Sequence, residues 1–196
     1  MKKYVLDLKV KENISLHANY HLLKLTSENP LPEMRPGQFA EVRVDGSLKT
    51  FLRRPVSIHY VDKTQNELWL LIQLVGDGTR RMAAYRTGET ANLLLPLGNG
   101  FSIPQSSVPA RLLLVGGGAG VAPLLYLGDT LKQAGFAPEF LLGARTHEEV
   151  MQLDAFRQRG TVHVTTENGS LGEKGLVTDH SVWESGRFDF VYTCGP

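Results

Sequence analysis

The chain has 196 residues, 42% of them hydrophobic, and its 21 basic and 20 acidic side chains leave a formal charge of +1. That is enough apolar material for one large domain or two of about 100 residues, and so even a charge balance gives neither nucleic acid nor an anionic membrane an electrostatic reason to bind. A single cysteine excludes an internal disulfide framework, no stretch approaches the roughly 20 apolar residues of a membrane span, and Asp7 and Lys9 interrupt any signal-peptide core, so a cytoplasmic protein is expected.

Residues 4–10 and 19–26 alternate apolar and polar side chains, and 38–44, 55–61 and 67–75 read as further short strands. Turn signals separate them: Asn29-Pro30, Arg35-Pro36-Gly37, Asp45-Gly46 and the polar segment 62–67. One helix-like stretch, 79–87, takes Thr79 as its N-cap and Gly88 as its stop. Short strands joined by tight turns predict an antiparallel barrel or sandwich for residues 1–103, followed by a linker-like PQSSVPA at 104–110.

From residue 111 to 196 the pattern becomes strand, glycines, helix: RLLLV (111–115), GGGAG (116–120), and a helix over 121–135 ended by Gly135. A strand at 139–144, a helix over 147–160, and strands at 162–166 and 188–193 follow. Strands alternating with helices predict a Rossmann-like parallel α/β domain.

Two stretches are suited to anions. In GGGAGVAP (116–123), glycines ahead of a helix let a phosphate approach backbone N–H groups, although Pro123 replaces the last glycine of the dinucleotide fingerprint; a tight turn that binds nothing is the competing reading. In FLRRPVSI (51–58) two arginines precede a strand, where they could grip a phosphate or simply blunt a sheet edge, and VGDGTRRMAAYRTG (75–88) adds a glycine turn and a helix start. Two phosphate sites in two domains point to two nucleotides and electron transfer.

The ordered set RPGQF (35–39), RRPVS (53–57), GDGT (76–79), PLGNGF (96–101), GGGAGVAP (116–123), GART (143–146) and CGP (194–196) resembles the ferredoxin-NADP reductase superfamily. Within it, the likeness is greatest to electron transfer subunits of the dihydroorotate dehydrogenase B type. The resemblance implies FAD on the barrel, with Arg54, Pro55, Val56 and Ser57 along the flavin and its diphosphate. Arg54 would pair with the pyrophosphate and Ser57 would bond near flavin N5, while Val56 replaces the stacked tyrosine of many members by an aliphatic contact. Leu71, Ile72 and Gln73 match the next flavin-contacting strand, and Gly78 and Thr79 the phosphate turn. In the second domain Gly116, Gly117, Gly118, Gly120 and Pro123 match the NAD loop, with Cys194 and Gly195 close to where nicotinamide meets flavin. Glu167 could accept from the ribose hydroxyls, favouring NAD over NADP, or lie on a solvated loop beside a simple Asn168-Gly169 turn.

By the same resemblance hydride moves between nicotinamide C4 and flavin N5, and no general base is needed. The implied partner is an FMN-containing dihydroorotate dehydrogenase catalytic subunit in a heterotetramer of two copies of each, serving pyrimidine synthesis. Relatives continue into a helix and a cysteine cluster holding a [2Fe–2S] centre; one cysteine cannot supply four thiolates, so that cofactor is expected only in a longer chain, and the sequence is expected to be truncated before it. No metal ligands are assigned within these residues. Two readings stay open: a generic NAD(P)H:flavin or ferredoxin oxidoreductase subunit, for instance of a hydrogenase-type complex, and a non-catalytic flavin-binding interaction subunit.

Overall fold

The computed structural model describes residues 2–46, 49–105, 110–185 and 187–195; residues 106–109 of the expected linker and Pro196 of the CGP motif lie outside the described residues. The chain forms two compact units, Met1–Phe101 and Ser102–Pro196.

The first unit is a closed antiparallel barrel. Its elements are β1 (Tyr4–His17), β2 (Tyr20–Thr26), β3 (Phe39–Val42), β4 (Arg54–Asp62), β5 (Glu67–Gln73), helix α1 (Asp77–Ala83) and β6 (Thr90–Leu97). Around the barrel the order is β1-β2-β5-β4-β3-β6. The interior is filled from the strands, with Leu8, Leu23, Leu25, Ile58, Leu68, Leu70, Leu93 and Leu95 fully buried. Closure depends on β6, which pairs with both β1 and β3 and which the sequence pattern did not predict. β1 also outruns its expected end: residues 4–9 pair with β6, and the rest continues in a ribbon with β2.

Helix α1 is shorter than expected and starts earlier. Gly76 is its N-cap and Thr79 its third residue, so Thr79 is not the cap. The Thr79 hydroxyl instead accepts from the backbone N–H groups of Val75 (3.0 Å) and Gly76 (3.1 Å) and donates to the Gly76 carbonyl (3.0 Å). Gly88 does not stop the helix either; at φ +88° it turns the chain back so that its N–H reaches the Val10 carbonyl at 2.8 Å.

The second unit is a parallel sheet of five strands in the order β10-β9-β8-β7-β11. They are β7 (Leu112–Gly117), β8 (Pro138–Ala144), β9 (Thr161–Thr166), β10 (Glu173–Lys174) and β11 (Phe190–Cys194), with helices α2 (Leu124–Gln133), α3 (Leu153–Arg157) and α4 (Val182–Ser185). The helix expected over 121–135 begins only after a 3-10 turn at Gly118–Val121, with Pro123 as its N-cap. Gly135, at φ +88°, ends it as expected. The stretch 147–160 is broken because Gln152 takes a left-handed conformation (φ +52°), leaving a 3-10 turn at His147–Glu149 and the short α3. Among the described residues no helix is long and apolar enough to cross a membrane.

Candidate functional site

On the barrel, the ladder between β4 and β5 runs from Asp62↔Glu67 to Ile58↔Leu70, passes a bulge, and stops there. Beyond it Arg54–Ser57 pairs with β3, and Leu71–Gln73 pairs with β2, each only on its far edge. The two strands thus separate, and a separated pair of edges leaves backbone groups free for a ligand. The expected flavin-contacting segments, 54–57 and 71–73, are the two that face this opening.

Within it the residues differ. Arg54 and Val56 alternate with Pro55 and Ser57 along β4; Val56 is 8% exposed, Pro55 is exposed, and Ser57 is partly buried opposite Phe39. Leu71 and Ile72 are buried and Gln73 is half-buried.

The two arginines have separate duties. Arg53 is tied into the barrel: Nη1 donates to the carbonyls of Glu41 and Asn92, both at 3.2 Å, and Nη2 to Asn92 Oδ1 at 2.5 Å. Arg54 donates only from Nε, to its neighbour's carbonyl at 3.1 Å, and among the described residues its terminal nitrogens have no partner. Its stem lies along α1: a Cβ added at Gly78 would stand 3.0 Å from Arg54 Cγ, 3.1 Å from Arg54 Cδ and 3.1 Å from Thr50 Cγ2. Gly78 therefore brings the helix against an arginine whose charged end is uncommitted. That donor set fits a diphosphate, because a guanidinium makes paired charge-assisted bonds to phosphate oxygens. The Thr79 hydroxyl is already saturated, so any contact from that residue must come from its backbone N–H, which precedes the first intrahelical bond, Arg80 N–H to the Gly76 carbonyl at 3.0 Å.

In the second unit the chain steps outward from β7 through β8 and β9 to β10, then returns to lay β11 on the other side of β7. The C-terminal edge at such a reversal is where open α/β sheets bind ligands. Gly116, Gly117, Cys194 and Gly195 lie there, with Cys194 opposite Gly116. The glycines are not equivalent. A Cβ at Gly120 would fall 2.1 Å from the Cys194 carbonyl oxygen, and one at Gly116 would fall 2.8 Å from Leu124 Cδ1, so both are demanded by the protein's own packing. A Cβ at Gly117 would meet nothing within 4 Å, and Gly118 sits at φ +53°. Open space over Gly117 beside a helix start fits a dinucleotide phosphate approaching the backbone.

Glu167 is exposed just past β9, its N–H bonded to the Ala144 carbonyl (3.0 Å). Asn168 and Gly169 do form a turn: Gly169 N–H donates to the Thr166 carbonyl (3.0 Å), and Asn168 Oδ1 accepts from Ser170 N–H (3.0 Å). Asn168 N–H reaches the Arg145 carbonyl at 3.3 Å, which places a single arginine of the GART segment beside Glu167, a neighbour that lies 22 positions away in sequence. Cys194 is half-buried, and burial pushes its thiol pKa up, so it is held as a neutral thiol. His59 is fully buried in β4.

No family model matches the chain. It is 42% identical over 162 residues to the dihydroorotate dehydrogenase B (NAD(+)) electron transfer subunit of Shouchella clausii, covering 83% of this chain and 62% of that protein. To the subunit of the same name from Lysinibacillus sphaericus it is 38% identical over 177 residues, covering 90% of this chain and 69% of the relative. The chain spans about two thirds of the length of these relatives. Among solved structures, an NADH-dependent reduced ferredoxin-NADP oxidoreductase matches with a TM-score of 0.84 and 28% identity, over 96% of this chain and 67% of that one. The barrel followed by a parallel α/β unit is thus the ferredoxin reductase-like fold.

Proposed function

The chain belongs to the family of dihydroorotate dehydrogenase B (NAD(+)) electron transfer subunits, and on that premise we propose that its barrel holds FAD, its α/β unit holds NAD(H), and electrons pass between the two. The observation that carries the reading is the Arg54–Gly78 cradle at the opening between β4 and β5. Arg54 grips the FAD diphosphate, Ser57 and the free edges of β4 and β5 orient the flavin, and the buried Leu71 and Ile72 back the opening. Gly117 and Gly118 admit the dinucleotide phosphates, and Glu167 accepts from a ribose hydroxyl. When bound, the flavin supplies hydride exchange with nicotinamide and one-electron exchange with an acceptor. Cys194 and Gly195 line the NAD site by their backbone and bulk, since a neutral thiol is neither a nucleophile nor a base. The partner we infer is an FMN-containing dihydroorotate dehydrogenase catalytic subunit, two copies of each, with NAD⁺ as the final acceptor.

The test is an anaerobic NADH titration of the FAD-loaded chain followed in the visible spectrum. Bound flavin that bleaches with one equivalent of NADH supports the reading; bound flavin that stays oxidised favours a flavin-binding interaction subunit; a chain that takes up no FAD removes the barrel assignment.

A further inference from the structure

Helix α1 has only seven residues, too few to be stable alone, so its position is fixed by what holds its ends. At its C-terminus the carbonyls of the last turn lack intrahelical donors. Ala84 N–H serves those of Arg80 and Arg81, and Tyr85 N–H reaches Met82 at 3.2 Å. The remainder is supplied from β1. Asn13 Nδ2 donates to the carbonyls of Met82 (3.1 Å), Ala83 (3.0 Å) and Tyr85 (3.0 Å). One amide group with two protons thus serves three acceptors, one of them through a shared bond.

The amide's orientation is fixed from its other end. Asn13 Oδ1 faces His21 Nδ1 at 3.2 Å. With Nδ2 committed to three carbonyls, Oδ1 must accept, so Nδ1 carries the imidazole proton. His21 belongs to β2, so two neighbouring strands jointly aim one side chain at the helix end. The rest of the anchoring comes from Met82, fully buried beneath the helix, and from Tyr85, whose hydroxyl donates to the Arg43 carbonyl at 3.2 Å.

At the opposite end of the same two turns lies Gly78, with the Arg54 stem so near that even one added carbon would stand 3.0 Å from it. A helix held at Met82–Tyr85 holds Gly78, and Gly78 sets where the Arg54 guanidinium can point.

We propose that Asn13 is the positioning residue of the FAD diphosphate site: by capping α1 from β1 it fixes the surface of Gly78 against which Arg54 is aimed. Asn13 touches neither cofactor nor substrate. The inference rests on the barrel binding FAD.

The experiment compares the wild-type chain with Asn13→Leu, which keeps the bulk and removes the donors. Three quantities are read: the FAD dissociation constant, the two phosphorus-31 resonances of bound FAD, and the melting temperature of the FAD-free chain. Expected are FAD affinity weakened about tenfold, the effect of one positioning contact of ordinary hydrogen-bond strength, and displaced diphosphate resonances at saturation. A residue that only stabilises the fold lowers the melting temperature and leaves the folded molecules' affinity and resonances at wild-type values; that result overturns the proposal. If Asn13→Leu does not fold, Asn13→Ser, which retains one short donor, is read the same way and is expected to fall between wild type and a severalfold loss; wild-type affinity and resonances in it overturn the proposal too. A wild-type chain that binds no FAD removes the barrel assignment and this inference with it, whereas FAD binding untouched by Asn13 removes this inference alone.

Discussion

Substituting each of the adjacent arginines separates folding from ligand binding. Arg53→Ala deletes three hydrogen bonds to Glu41 and Asn92 and takes from Asn92 Oδ1 its charged donor, while the Asn92 carbonyl keeps the Arg43 N–H at 2.8 Å. Charged hydrogen bonds contribute about 1.5–3 kcal/mol each but do not add fully, so a loss of about 3 kcal/mol is expected. For a barrel of this size that lowers the melting temperature by roughly 10 °C or more. Arg54→Ala removes one hydrogen bond, to the preceding carbonyl, and should cost under about 1 kcal/mol in the FAD-free chain. Its effect falls on FAD: without one charge-assisted bond to a phosphate oxygen, binding weakens about 10- to 150-fold. Calorimetry of the FAD-free variants and fluorescence titration with FAD measure the two sides. If Arg54→Ala binds FAD as tightly as wild type, or if the two variants lose stability and affinity in equal measure, the division of labour read from their hydrogen bonds is wrong.

Three further outcomes are expected. Gly120→Ala should destabilise the second unit by about 3 kcal/mol, because its Cβ collides with the Cys194 carbonyl, while Gly117→Ala should leave the melting temperature unchanged and weaken NADH binding; differential scanning and NADH titration of both variants check this. His180 is buried and accepts from Val182 N–H at 2.9 Å through Nδ1, and burial, opposed by Glu173, holds its pKa below the ordinary 6.5. The unfolded chain therefore binds the proton first, and this contribution to stability, full above about pH 6.5, is lost as pH falls toward the lower folded value; His180→Leu should flatten the stability profile there, and an unchanged slope between about pH 7 and 5 would refute the assignment. Glu167→Gln should narrow any preference for NADH over NADPH about tenfold, by replacing a charged ribose acceptor with a neutral amide and removing its repulsion of a 2′-phosphate beside Arg145; steady-state kinetics with both cofactors decides it.

The sequence carried the two-part plan because its periodicities change sharply, from short alternating strands to strand–glycine–helix units. It missed β6 because TANLLLPL has no alternation: a strand buried at Ala91, Asn92, Leu93, Leu95 and Pro96 reads no differently from part of a buried helix. It overextended the helix at 147–160 because nothing local announces that Gln152 will adopt a positive φ. The candidate site residues stand out in the sequence as a set of motifs, but adjacent arginines look alike in a string of letters. Only strand register shows that Arg53 meets Asn92 while Arg54 meets Gly78. Asn13 gives no signal at all, since it lies past the alternating stretch 4–10, where a polar residue is indistinguishable from one facing water until a helix end is found beside it.

Both candidate sites lie where a regular backbone pattern runs out. On the barrel this is the parting of β4 from β5; on the sheet it is the C-terminal edge beside β7, where the chain reverses its order. Such places are free to take a ligand because their N–H and C=O groups have no partner in the ladder. They are also crowded, because several segments turn there at once, and this makes a glycine-rich motif composite. Gly116 and Gly120 answer to Leu124 and to the end of β11, and would be needed if no dinucleotide ever bound; Gly117 has empty space where a side chain would stand, a vacancy that the protein's own packing does not explain. Counting glycines therefore overstates the phosphate loop, and the same holds at GDGT, where Thr79 commits its hydroxyl to its own turn and Gly78 serves the approach of Arg54. The residues that report ligand binding most cleanly are those whose identity the fold alone does not require: Arg54 in the barrel and Gly117 in the sheet.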